Sequence, residues 1–212
     1  MPTSITTYKP SVRIRPLDNS WGLITFGAIL IRRRGLSLGQ MIVVSGLPAS
    51  GKSTLARNLG TELGLEVIDK DDFLERYLTR GSSFDTEHRQ QSSRLADREF
   101  ESAARRAGSA ILVSHWRHPD SDSASGTPSE WLREFNHLVE VFCDRTPLTA
   151  VHRFQSRHRH PGHGDSRWSR GASIEQFENY AANGPLGVGR LVVVNTEEPI
   201  DIATVAERCS NT

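Results

Sequence analysis

Lysine is almost missing from this chain: Lys9, Lys52 and Lys70 are the only lysines among 26 basic residues. The 25 acidic residues bring the net charge to +1, which excludes the basic surface of a general polyanion binder and does not favour nucleic acid as a partner. Cysteine is as sparse. Cys143 and Cys209 stand far apart with no Cys-x-x-Cys pair, so neither a disulfide scaffold nor a structural zinc site is implied. Reduced thiols in a cytoplasmic protein are the expectation. No apolar run approaches the roughly 20 residues that cross a bilayer; the stretch from Trp21 to Ile31 is about half that, so no membrane span is expected. What is present suffices for a folded core: 36% apolar residues in a chain of 212, long enough for one compact domain and short for two. A monomer or a dimer is equally compatible with these features.

Residues 1–40 differ from the rest. Pro2, Pro10 and Pro16 interrupt a polar start, and the Trp21–Ile31 run ends in Arg32-Arg33-Arg34. This N-terminal extension reads as an extra strand or hairpin on the domain, a weak interfacial anchor, or a disordered or non-native leader, since Met41 opens the first core strand directly. From 41 to 212 the pattern is strand then helix, repeated. Met41-Ile42-Val43-Val44-Ser45 is an unbroken apolar run of the kind that fills a buried parallel strand. Further strands are predicted at Leu65–Ile68, Ala110–Ser114, Leu138–Phe142 and Leu191–Val194. Helices are predicted over Ser53–Leu63, ended by Gly64, from Phe73, over Thr86–Ala107, and near Ser129–Asn136. This alternation favours an α/β fold, a parallel sheet covered on both faces.

Between the first strand and the first helix lies Gly46-Leu47-Pro48-Ala49-Ser50-Gly51-Lys52-Ser53, followed by Thr54, which fits the phosphate-loop pattern at every fixed position. The setting matters as much as the letters. Backbone N–H groups and the positive helix end converge there on phosphate oxygens. Glycine at 46 and 51 lets the main chain approach, Lys52 is placed to reach the β- and γ-phosphates, and the Ser53 hydroxyl to ligate Mg²⁺. A glycine-bearing turn that merely matches the pattern is the bland alternative.

A second group follows the second strand: Asp69-Lys70-Asp71-Asp72. Strand ends in an open parallel sheet line one crevice, the one that the phosphate loop faces. Asp71 is the candidate general base that takes a proton from an acceptor hydroxyl, and Asp69 the candidate to hold a water on Mg²⁺, no other acid ending a predicted strand. Alternatively, Asp71 or Asp72 caps the helix that follows. A third group is Arg153, Arg157 and Arg159, leading into His160-Pro161-Gly162-His163. Arg153 and Arg157 share one face of a helix, and the Pro-Gly and His-Gly pairs mark a loop. These suit either an arginine-bearing lid that closes on a transferring phosphoryl group or a solvated basic helix.

Together these motifs resemble the small P-loop kinases related to shikimate, gluconate and polynucleotide kinases, and the bacterial AAA-domain and zeta-toxin-like ATPases, over Met41 to about Glu207. The resemblance implies a three-layer α/β/α P-loop NTPase fold with a five-stranded parallel sheet in the order 2-3-1-4-5 and a lid. It implies ATP and Mg²⁺ as cofactors, and transfer of the γ-phosphoryl group to a small hydroxylated acceptor. Asp69-Lys70-Asp71 is similar to the acceptor-binding segment of that group, and Val194–Pro199 to its adenine-packing loop. Polynucleotide-end or nucleotide-sugar kinases and an ATP-gated binding protein are the alternative activities. Two departures bear on the acceptor. Leu74 stands where polynucleotide-end kinases carry an arginine, and His115-Trp116-Arg117 where shikimate kinases carry a glycine pair. The trio forms either an acceptor wall, with Trp116 stacking on the substrate, or a cover for the sheet edge.

Overall fold

The computed structural model describes residues 39–78, 86–121, 125–157 and 172–211. The N-terminal extension up to residue 38 and the His-Pro-Gly-His segment, with Arg159, lie outside the described residues.

Five strands form one sheet, β1 (Gln40–Gly46), β2 (Glu66–Asp69), β3 (Ala110–Val113), β4 (His137–Asp144) and β5 (Arg190–Asn195), all parallel, in the order β2-β3-β1-β4-β5. Six helices are described: α1 (Lys52–Leu63), α2 (Lys70–Leu78), α3 (Thr86–Arg106), α4 (Pro147–Ser156), α5 (Ile174–Ala182) and α6 (Ile202–Ser210). The implied strand order is therefore the observed one. The apolar runs form strands because both faces of the central strands are covered. Ile42 and Val44 of β1 pack with Leu55, Leu59 and Leu63 of α1 and with Val205 and Cys209 of α6. Met41 and Val43 face the other way, into Phe100 of α3, Trp116 and Trp131.

The boundaries show where local pattern and tertiary structure diverge. β5 reads as continuously apolar, yet Leu191 and Val193 are 43% and 42% exposed, because among the described residues this edge strand is buried only on its α6 face. The helix predicted near Ser129–Asn136 is a 3-10 turn over Glu130–Glu134. α2 starts at Lys70 rather than Phe73, so Asp71 and Asp72 sit inside its first turn. The capping contact falls to Asp69, whose Oδ1 accepts the Asp71 backbone N–H at 3.1 Å. β4 runs on to Asp144, so Asp69 is not the only acid at a strand end.

Candidate active site

The phosphate loop joins β1 to α1 at the carboxyl edge of the sheet. Gly46, at φ 127°, lies beside Cys143 of β4, and a Cβ built on it would meet the Cys143 carbonyl oxygen at 2.6 Å. Gly51, at φ 99°, caps α1 with no side-chain bond, which leaves the first helical N–H groups directed into the loop. Ala49 also takes a positive φ, 59°, a position that the pattern does not flag. Leu47 is buried against Ala150 and Val151 of α4 and Phe177 of α5, so these two helices pack on the loop itself.

Charge gathers around this loop. Lys52 Nζ donates to the carbonyls of Gly46 at 2.9 Å and Leu47 at 2.7 Å. Desolvation by burial lowers its pKa to about 8, with Arg157 pushing the same way and Asp71 and Asp69 opposing. Ser53 Oγ donates to Asp69 Oδ2 at 2.8 Å. Burial, reinforced by the charge of Asp71, holds the Asp69 carboxyl above the usual range, and the Asp71 N–H and Ser53 hydroxyl only partly offset this. Ser53 and Asp69 thus present hard oxygen donors side by side. That pair fits Mg²⁺, which takes one or two protein oxygens and fills its remaining positions with water and phosphate. No cluster of three or more His, Cys, Asp or Glu side chains suits a metal among the described residues.

The other candidates separate. Arg157, in extended backbone at the end of α4, no longer belongs to the helix, and its guanidinium lies 4.2 Å over the Phe154 ring. Its charge is felt at Lys52 and at His115. Arg153 is exposed on α4, and its charge is felt instead at Arg145, which bonds Thr196 Oγ1 at 3.2 Å and pairs with Glu197 at 3.4 Å. Of the two guanidiniums, that of Arg157 acts on Lys52 and His115, and that of Arg153 on Arg145.

His115, the first of the trio that follows β3, is given no role of its own by the sequence. It keeps an open face in a cleft of about 180 Å³, lined also by Pro48, Arg117, Asp144, Tyr180 and Asn183. Desolvation first, then the charges of Lys52, Lys70 and Arg157, lower its pKa to about 4, against the opposing pull of Asp71. The ring is exposed at the cleft mouth, where these three cations disfavour the imidazolium. The imidazole is neutral at pH 7 and meets the Tyr180 ring edge to face at 5.8 Å. Trp116 reaches the cleft lining, but its ring is committed to the core rather than free to stack as an acceptor wall requires. It is buried, bonds the Val44 carbonyl through Nε1 at 3.0 Å, and packs on Phe100 and Trp131. Lys70 is buried as well, paired with Asp97 of α3 at 2.6 Å, which fastens the start of α2 beneath the site. Its rarity was the one sequence signal.

A sequence model of the AAA domain matches residues 41–169, from the second residue of β1 through α4 and beyond. The chain belongs to the AAA domain family. No curated protein sequence matches it. Among solved structures, this AAA domain protein is similar to a kinase candidate from Chloroflexus aurantiacus J-10-fl, with a TM-score of 0.64 and 26% identity over 81% of this chain and 97% of that one. It is also similar to shikimate kinase from Bacteroides thetaiotaomicron, with a TM-score of 0.51 and 18% identity over 80% and 95% of the two chains, a likeness of fold alone. The architecture is that of a small P-loop kinase.

Proposed function

We propose that this AAA domain protein is an ATP-dependent phosphotransferase that moves the γ-phosphoryl group to a hydroxyl of a small molecule. The observation that carries the reading is the phosphate loop itself, with Gly46 and Gly51 at positive φ, Lys52 Nζ held on the Gly46 and Leu47 carbonyls, and Ser53 bonded to Asp69 beside it. In this scheme the β- and γ-phosphates lie on the loop amides of residues 46–54, and Lys52 swings from the Gly46 and Leu47 carbonyls to the phosphate oxygens. The acceptor oxygen attacks the γ-phosphorus, the bond to the β,γ-bridging oxygen breaks, and ADP departs with those electrons. Asp71 takes the acceptor's proton. Arg157 and Lys52 stabilise charge on the transferring group, and Arg153 is the outer cation of the same lid. Ser53, directly, and Asp69, through water, would hold Mg²⁺, which would supply charge neutralisation at the phosphates.

The net charge of +1, and Leu74 where polynucleotide-end kinases carry an arginine, support a small hydroxylated metabolite over a polyanionic strand end, with His115, Arg117 and Tyr180 in the cleft that would receive it. The adenine is assigned to the loop after β5, where Thr196 and Glu197 hold Arg145. The test is an ADP-release screen of the full chain against pooled sugars, nucleosides and other hydroxylated metabolites, with 5′-hydroxyl oligonucleotides as a separate arm. One acceptor raising ADP release, and Asp71→Ala abolishing that rise while a fluorescent ADP analogue still binds, is the expected result. If Asp71→Ala left the acceptor-dependent rate intact, Asp71 would lose its role; if oligonucleotides alone were phosphorylated, the small-molecule assignment would fall.

A further inference from the structure

Glu140 is an acid in the middle of an otherwise apolar strand, and it is completely buried. Its Oε1 accepts the Ser45 hydroxyl at 2.6 Å and the Leu186 backbone N–H at 2.7 Å. Its Oε2 accepts the N–H groups of Gly187 at 2.9 Å and Val188 at 3.5 Å. Gly187, at φ 67°, turns the chain so that three successive amides converge, an anion nest filled by the protein's own carboxylate. The same segment is held from the other side. His118 Nε2 bonds the Pro185 carbonyl at 3.0 Å, while its Nδ1 accepts the Asp120 N–H at 3.1 Å.

Two ends of the site meet at this carboxylate. Ser45 immediately precedes Gly46, the first residue of the phosphate loop. Leu186–Val188 follows α5, which carries Tyr180 of the cleft and the Phe177 that buries Leu47. We infer that Glu140 is a positioning residue: with Ser45 it ties the start of the phosphate loop to the segment that sets the seat of α5, so that nucleotide on the loop and the acceptor side of the cleft are held in one register. The inference rests on the phosphotransferase reading, since it needs a nucleotide at the loop. Physically, a carboxylate that accepts four hydrogen bonds in a buried setting makes charge-assisted bonds, which are stronger than neutral ones and costly to break singly. Anything that stiffens Gly46 then raises the cost of opening the amides bound to Glu140.

The experiment is hydrogen exchange of the 186–188 amides in the full 212-residue chain, with and without Mg²⁺ and a fluorescent ADP analogue, whose binding is followed in the same samples. In the wild type, nucleotide is expected to slow exchange of these amides about tenfold, the scale of one charge-assisted bond. Ser45→Ala keeps the nest and removes only the tie. It is expected to bind the analogue within about threefold of wild type, yet to lose the nucleotide-induced protection. Ser45→Thr, which retains a hydroxyl, restores it. Glu140→Gln is expected to raise exchange at 186–188 with or without nucleotide. The inference is overturned if nucleotide binds without slowing these amides in the wild type, or if Ser45→Ala keeps the protection. Failure of the analogue to bind the wild type at all would instead overturn the phosphotransferase reading, and this inference with it.

Discussion

Replacing Gly46 by alanine tests the geometry of the phosphate loop most directly. The new Cβ would lie 2.6 Å from the Cys143 carbonyl oxygen, 3.0 Å from Cys143 Cβ and 3.1 Å from Ser50 Oγ, at a backbone φ of +127°. That φ lies beyond the left-handed helical basin near +57° that other residues sometimes visit. Backbone strain of this kind costs about 1–3 kcal/mol, and overpacking a buried site about 1–3 kcal/mol more. The sum, about 2–6 kcal/mol, is a large share of the roughly 5–15 kcal/mol that stabilises a typical domain. Gly51 supplies the control. Its φ is +99°, but a Cβ there meets nothing within 4 Å, so Gly51→Ala carries only the backbone part. Gly46→Ala is therefore expected to lower the urea midpoint further than Gly51→Ala, by the equivalent of about 1–3 kcal/mol at unchanged m-value. The shortest contact is with a main-chain oxygen and the next with a Cβ that alanine shares. Adding Cys143→Ala should therefore give no rescue, and the double variant should sum the single losses. Urea titration followed by circular dichroism measures the three single variants and the double. Equal losses at 46 and 51, or recovery in the double variant, would refute the steric reasoning.

Asp71→Asn is expected to lower acceptor-dependent phosphoryl transfer by about 10²–10⁴-fold, read as ADP release at saturating nucleotide, while changing stability by only a few tenths of a kcal/mol at a helix first turn. Lys52 predicts a pH dependence. Its folded pKa, about 8, lies below the ordinary 10.5, so between those values the unfolded chain binds more protons and stability rises with pH. The buried thiols of Cys143 and Cys209, pushed up to about 11 from 9, act in the opposite sense over an overlapping window. The measurement is accordingly the difference between wild type and Lys52→Met in unfolding free energy from pH 7 to 10.5, which should grow in favour of the wild type as pH rises. Lys70→Met strands Asp97 in a partly buried site and is expected to cost about 3–5 kcal/mol, whereas Lys70→Met with Asp97→Leu should recover much of that loss. A urea double-mutant cycle decides it.

The amino-acid sequence by itself determined the parts in which local pattern and tertiary environment coincide. Buried parallel strands must be apolar on both faces, so Met41–Ser45 and Ala110–Val113 announced themselves as runs. A phosphate loop needs glycine, lysine and serine at set positions, so residues 46–53 did the same. β5 lies where its apolar run predicted, but the run did not reveal which face is open, because an edge strand can keep it with Leu191 and Val193 exposed. Glu140 was visible as an acid inside an apolar strand, but nothing nearby in sequence revealed that residues 186–188 would supply its hydrogen bonds. For Trp116 the sequence left an acceptor wall and a cover for the sheet edge both open, and the fold decided by bonding its ring nitrogen to Val44 and burying the ring. Tertiary structure alone placed the charge of Arg157 near Lys52 and that of Arg153 near Arg145, because α4 ends at Arg157 in extended backbone and the helical spacing that would have paired them stops there. Hydrogen-bond satisfaction and electrostatic coupling depend on which distant segments share a buried volume, and spacing along the chain carries no record of that.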